Sequence, residues 1–410
     1  MAIDSLFSSR FSVSERRATL VGRAAEMREL ERGYTQAREK KHAHTVTVVG
    51  ATGVGKTRLV RDFLVRMHEG GHAPRVFRGS AREAGPAYEV FARVLRARFG
   101  IVEGLDAEAA KAQVRAQLAA VLEDRKVGDV AYFLGQLLDL DFQGSPLIKA
   151  VEGDPQQVRS MRRAVIKSFL EVDASKGADP PVIVLDDLQW AHDDSLDLLE
   201  ALVDTLRAPM MLVCIARPEL LARRDGWPRH GGDRHTLVEL SPLGDVDAAA
   251  VMHDLLSPCG EPQELDQLVD EAVELAAGNP ALLEQIVRVY HEAGVLVATD
   301  DFEDEHWTVH PERLADVKLP LSVEDAVQAR IAALAAAERE VLERAAAMGG
   351  VFWLGGLVAI ARQAGSVPDV WDAGEANDVL HIRQLLGDLV ERDYLLRLPD
   401  STFSGDEEYV

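Results

Sequence analysis

Apolar side chains along this chain fall into two rhythms, unbroken runs and recurrences every third or fourth residue. The run Thr45-Val-Thr-Val-Val49 is β-branched throughout and predicts a buried strand. It follows a helical segment that contains Glu26 and Leu30 and reaches Lys41. It precedes a helix from Lys56 to Glu69, whose apolar positions Leu59, Val60, Phe63, Leu64 and Met67 share one face and which Gly70-Gly71 ends. Further strands are predicted near Arg75 to Arg78, at Val182 to Leu185 behind Pro180-Pro181, at Met210 to Ile215 and at Thr236 to Leu240. Between the first and second of these further strands lies a long helical region, Tyr88 to Ala174, with loops expected at Gly100, Gly128 and Gly144; Ser195 starts another helix. Strands that are continuously apolar and separated by helices imply a parallel sheet covered on both faces, an α/β fold.

The rhythm then changes. From Val246 to Gly294 it is purely helical, broken by Gly278-Asn279-Pro280, with Pro280 suited to a first helical turn. Leu296 to Val309 reads as a two-stranded element around an acidic tip, Asp300 to Glu305, taken as a solvated loop. From Ser322 onward, helices give way to a strand at Tyr394 to Leu398, the pattern of a winged helix. Met1 to Thr19 has no period and reads as a flexible leader. The expected division is a leader at 1–19, an α/β domain at 20–244, a helical lid with a hairpin-like element at 245–320 and a winged-helix-like domain at 321–410. No tandem repeat occurs, and low complexity is confined to alanine-rich helix such as Ala332 to Ala337.

Composition acts mainly by exclusion. Two distant cysteines, Cys214 and Cys259, indicate neither a disulfide framework nor a zinc site and fit a reducing cytoplasm. The longest apolar stretch, Val351 to Ala361, is short of the roughly 20 residues a membrane helix needs. A net charge of -23 disfavours broad contact with nucleic acid or anionic membrane, although a local basic patch would escape that average.

Gly50-Ala51-Thr52-Gly53-Val54-Gly55-Lys56-Thr57 matches G-x-x-x-x-G-K-[ST] between a predicted strand and a predicted helix, which is the context a phosphate cradle requires. Gly50, Gly53 and Gly55 let the backbone curl so that its N–H groups, Val54 included, face an anion, and the helix N-terminus adds its dipole. Lys56 is expected at the β- and γ-phosphates, Thr57 on magnesium, and Arg58 beside them at the helix start. Val182 to Asp187 brings two carboxylates to the same sheet edge. Asp186 would order the magnesium through water; Asp187 either polarises the attacking water or only caps the turn. Arg217, after the next strand, either meets the γ-phosphate or is an ordinary surface arginine. No Asn-Lys-x-Asp-like guanine reader occurs, so ATP is favoured over GTP.

Taken in order, these segments resemble the STAND class of signal-transduction ATPases, relatives of AAA+ proteins, over roughly Leu20 to Leu398. The carriers are Leu20-Val21-Gly22-Arg23 with Glu26, the P-loop, Leu185 to Ala191, Arg217, Leu240-Ser-Pro-Leu243 and Gly278-Asn279-Pro280. The resemblance implies adenine contacts from Val21, Gly22 and Arg23, and a closing contact from Pro280 on the lid. Two departures stand out. His192 occupies a position where the family often has Asp, leaving no support for a catalytic histidine; and the family's Phe-x-His-like sensor segment and effector do not follow, so the chain reads either as an excised core of a larger protein, the preferred reading, or as one that lacks the usual sensor and autoinhibitory array.

The resulting expectation is a slowly hydrolysing, magnesium-dependent ATP switch that engages a regulatory or effector protein, with nucleotide-dependent self-association open. The alternatives are a DNA-handling AAA+ ATPase of the origin-recognition type and a scaffold that keeps ADP without hydrolysis. Between Leu321 and Asp400 there are seven arginines and no lysine against thirteen carboxylates, a poor phosphate-binding surface.

Overall fold

The computed structural model describes residues 20–101, 105–144, 153–260, 265–298, 306–317, 319–364, 374–391, 394–395, 397 and 406–409. The expected leader at Met1 to Thr19 and the acidic tip at Asp300 to Glu305 lie outside them. The described residues form two compact units that meet in sequence between Gly244 and Asp245.

In the first unit, β1 (His44–Gly50), β2 (Val76–Ser80), β3 (Val182–Asp186), β4 (Met211–Ala216) and β5 (His235–Leu240) form one sheet in the order β2-β3-β4-β1-β5. Every pair is parallel. The helices on its two faces explain why β1, β3 and β4 are buried along their whole length without alternation. Val46, Val48, Val182, Val184, Met211, Val213 and Ile215 pack with α1 (Ala24–Lys40) and α2 (Lys56–Glu69). Ile183, Leu185, Leu212, Cys214 and Ala216, the intervening residues, join the core of the opposite face.

That second core is built from α3 (Glu89–Phe99), α4 (Ala107–Ala119), α5 (Asp124–Leu138), α6 (Pro155–Ala174) and α7 (Asp193–Thr205), with a short α8 (Glu219–Arg223) beyond β4. The expected loop at Gly128 is absent, because Gly128 lies inside α5. Nothing surrounds the place a Cβ would take there, and the buried face of Val130, Phe133, Leu134 and Leu137 outweighs a glycine penalty of about 1 kcal/mol. The chain instead turns at Asp139, in the left-handed region at φ 58°.

Several buried polar groups inside this unit are paired. Asp173, at the end of α6, accepts hydrogen bonds from Arg75 Nη1 at 3.0 Å and from Arg98 Nε at 3.0 Å, and its backbone carbonyl takes Arg75 Nη2 at 2.7 Å. Thr47 accepts from Trp227 Nε1 at 3.0 Å and is hydrogen-bonded to His235 at 2.8 Å. His44 Nε2 is hydrogen-bonded to Thr236 Oγ1 at 3.1 Å, while Nδ1 is buried without a partner. Burial, reinforced by the nearby cationic side chains, lowers the His44 pKa from 6.5 to about 4. Because the folded value is the lower one, His44 adds stability above pH 6.5 that is lost as pH falls toward 4. The full loss is about 3 kcal/mol. Denaturant titrations of the wild type and of His44→Gln should converge as pH drops through this window; parallel curves would show that His44 is not responsible.

The second unit opens with α9 (Asp245–Leu255), α10 (Leu265–Ala276) and α11 (Pro280–Glu292). Asn279 caps α11 by accepting from the Ala281 and Leu282 amides, and Pro280 takes the first turn, where no N–H is needed. Strands β6 (Leu296–Ala298) and β7 (Trp307–Val309) pair antiparallel. Then come α12 (Val323–Ala333), α13 (Ala336–Met348), β8 (Phe352–Trp353), α14 (Leu354–Ala364), α15 (Gly374–Glu391) and β9 (Glu408–Tyr409). Strand β9 pairs antiparallel with β8 and, through Tyr409, with Arg397. A helical core around Phe352, Leu357, Leu386 and Leu389 is edged by a short antiparallel ribbon.

The expected strand from Tyr394 to Leu398 is reduced, among the described residues, to the single bridge at Arg397. The Tyr394 and Leu395 amides turn back onto the Leu389 carbonyl instead, so the chain is still leaving α15 at that point. Among the described residues, no helix is long and apolar enough to cross a membrane.

Candidate nucleotide site

Parallel strands bring their carboxyl ends to one edge, and β4 alone separates β1 from β3. The residues that follow these two strands therefore start two strand spacings apart, roughly 9–10 Å. Gly50 ends β1 with the Leu240 carbonyl and Val54 Cγ2 each 2.8 Å from where a Cβ would sit, so only glycine fits. Gly53 and Gly55 follow with φ of 82° and 94°, and Gly55 leads directly into α2.

Lys56 folds over this loop, its ammonium donating to the Gly50 and Ala51 carbonyls at 2.8 Å each. Burial pushes the Lys56 pKa down; Asp186 and Asp187 oppose that shift, whereas Arg217 adds to it. These four side chains thus share one electrostatic neighbourhood. Thr57 is half-buried in the first turn of α2, and Arg58 is paired with Asp62 one turn on, at 2.9 Å.

Asp186 is 3% exposed, and burial pushes its pKa up against the pull of Arg78, which donates to Oδ2 at 2.6 Å. The Asp187 amide donates to Asp186 Oδ1 at 2.9 Å. Asp187 itself is left-handed, at φ 55°, a sparsely populated state for a non-glycine residue. Its Oδ1 accepts from Gln189 Nε2 at 2.9 Å, and Gln189 Oε1 accepts from the Arg217 amide at 3.0 Å. The Arg217 guanidinium lies 5.7 Å from the centroid of the Trp190 ring. Arg223 donates to the Gln189 carbonyl at 2.6 Å and to Asp193 at 2.9 Å, bracing the turn from outside.

Arg23 is buried and fully engaged: it donates to the Val54 carbonyl at 3.3 Å and the Ser241 carbonyl at 2.6 Å, and pairs with Glu26 at 3.3 Å. Its side chain ties the segment carrying Val21 and Gly22 to the cradle. His192 is half exposed and caps α7 by accepting from the Asp194 amide. Pro280 belongs to the second unit.

Sequence reasoning assigned no role to Arg78 or Gln189. A charged residue inside a predicted strand was the signal for Arg78. For Gln189 the only signal was its place in Leu185 to Ala191.

The residues present suit a nucleotide phosphate with magnesium. A half-buried ammonium and a buried carboxylate stand at one sheet edge beside a glycine cradle, and each gains a counter-charge from such a ligand. Among the described residues, no cluster of three His, Cys, Asp or Glu side chains could cage a metal alone.

Residues 19–215 match the family described as AAA ATPase domain. No curated protein matches the chain. Among solved structures, Cdc6p from Pyrobaculum aerophilum aligns with a TM-score of 0.43 and 13% identity, covering 99% of this chain and 93% of that one. The Aeropyrum pernix ORC1 protein, in a complex with DNA, aligns with a TM-score of 0.40 and 15% identity, covering 98% and 91%. The Walker-type ATPase of Pyrococcus abyssi aligns with a TM-score of 0.36 and 13% identity, covering 98% and 97%. Similarity that remote carries no function over to this chain.

Proposed function

We propose that this chain is an ATP-binding, magnesium-dependent switch that hydrolyses slowly, its nucleotide state setting the arrangement of its domains and the engagement of a regulatory or effector protein. The observation that carries this reading is the convergence of the Gly50–Thr57 cradle with Asp186, Asp187 and Arg217 at one sheet edge. Lys56 and the loop amides bind the β- and γ-phosphates, while Thr57 and Asp186 hold magnesium. When bound, magnesium neutralises phosphate charge. Asp187 orients and polarises the attacking water, and Arg217 stabilises charge on the γ-phosphate. Val21 and Gly22, anchored by Arg23, meet the adenine, and Pro280 closes on it from the lid. Loss of the γ-phosphate removes that group's contacts with Lys56 and Arg217 while the β-phosphate stays bound, which gives ATP and ADP different affinities for open and closed arrangements.

The test is to measure nucleotide affinity, phosphate release and solution size by scattering, with ADP and then with ATP and magnesium. A nucleotide-dependent change in size or shape is expected, and identical profiles would remove the switch from this reading. Lys56→Ala should weaken ATP about 10- to 100-fold, the worth of a lost charge-assisted contact of 1.5–3 kcal/mol. A fluorescent ATP analogue reads this directly; an affinity within threefold of wild type would argue against Lys56 as the phosphate ligand.

Among the described residues of the C-terminal unit, four arginines are paired with its own carboxylates: Arg383 and Arg397 with Glu407, Arg330 with Glu292 and Arg344 with Glu340. That favours a protein partner over duplex DNA. Tight, salt-sensitive duplex binding by the same preparation would replace this reading with the DNA-handling one.

A further inference from the structure

Gln189 is 4% exposed, lies outside the cradle, and spends both ends of its amide on two different functional segments. The donor end holds Asp187 Oδ1 and the acceptor end holds the backbone amide of Arg217. We infer that Gln189 is a positioning residue that couples γ-phosphate engagement at Arg217 to the orientation of the Asp187 carboxylate. The inference rests on the ATPase reading above.

Three features support a coupled unit rather than two independent contacts. Trp190, the next residue, stacks on the Arg217 guanidinium, so the side chain and the amide of Arg217 are both tied to the same short turn. Arg223 clamps that turn through the Gln189 and Ala191 carbonyls. Asp187 is held in the left-handed region and lacks the freedom of glycine, so its carboxylate direction depends on what restrains it. Among side chains of this length, only glutamine offers a neutral donor and a neutral acceptor together. Glutamate keeps the acceptor toward Arg217 but sets a second carboxylate against Asp187; methionine keeps the length and loses both contacts.

The experiment uses the full chain with magnesium. Gln189→Glu should lower kcat roughly tenfold or more with ATP affinity within threefold, and should add nothing in an Asp187→Asn background, because the two residues act through one carboxylate. Gln189→Met should lower kcat similarly and also shrink the ratio of ATP to ADP affinity. The Trp190 fluorescence change that distinguishes ATP from ADP, assigned with Trp190→Phe, should disappear in Gln189→Met. Wild-type kcat and nucleotide ratio in both variants would overturn the coupling, as would losses in Gln189→Glu that simply add to those of Asp187→Asn. Should Gln189→Met not fold, Gln189→Glu and the double variant decide. Should the wild type turn over no ATP, hydrolysis fails as a reading, and the coupling stands or falls on the nucleotide ratio and the Trp190 signal.

Discussion

Asp187→Asn is expected to lower ATP turnover about 100- to 10,000-fold while leaving ATP affinity within about threefold, the range a positioned general base contributes. Asparagine keeps the size of the side chain and can still accept from Gln189 Nε2, so the turn is preserved. What it loses is the anionic oxygen that would take a share of the water proton. In this reading Asp186 is not the alternative base, because its carboxylate, already accepting from Arg78 and the Asp187 amide, serves the magnesium side of the site. Single-turnover phosphate release, measured beside nucleotide titration, separates the outcomes. Unchanged turnover would assign Asp187 to the turn alone and leave the chain a nucleotide-retaining scaffold; lost ATP binding would mean that the substitution had damaged the cradle.

Asp173→Ala is expected to destabilise the first unit by about 3–5 kcal/mol, the usual cost of removing one partner of a buried ion cluster. The carboxylate is nearly inaccessible and holds two guanidinia, those of Arg75 and Arg98. Without it, two cations face each other across the junction of α6, α3 and the start of β2. For a unit of this size that corresponds to a fall in melting temperature of roughly 10 °C. Calorimetry on the whole chain reads the shift, and a displacement under about 2 °C would show that the arginines find other partners. Because Asp173 lies away from the cradle, ATP affinity measured well below the melting transition should be preserved.

How much of this was legible in the sequence depended on how local the cause was. Strand β1 and helix α2 announce themselves through a β-branched run and an apolar stripe, and Gly50 to Thr57 through its spacing in the turn between them. The convergence of Asp186, Asp187 and Arg217 was legible too, because apolar runs imply parallel strands, and parallel strands share an edge. Gly128 was misread because a glycine weakens a helix locally while the burial that sustains the helix is tertiary. The pairings of Arg78 with Asp186 and of Gln189 with Asp187 and Arg217 follow from strand order and a turn conformation that no periodicity reports. Strands β8 and β9, of two residues each, are too short to carry a period at all.

The cradle also has a history in time. Gly50 is confined by the Leu240 carbonyl, and Arg23 fastens Val54 to the Ser241 carbonyl, so the loop takes its shape from partners nearly two hundred residues further along. A chain still being synthesised has the phosphate motif long before it has these anchors. Until β5 has left the ribosome and paired with β1, the sequence that defines the site is present while part of what confines and fastens its loop is missing. On the ATP-binding reading proposed above, nucleotide capture would be a late event in the life of the nascent chain, and a fragment ending at residue 215 would carry the motif without the strand that supports it.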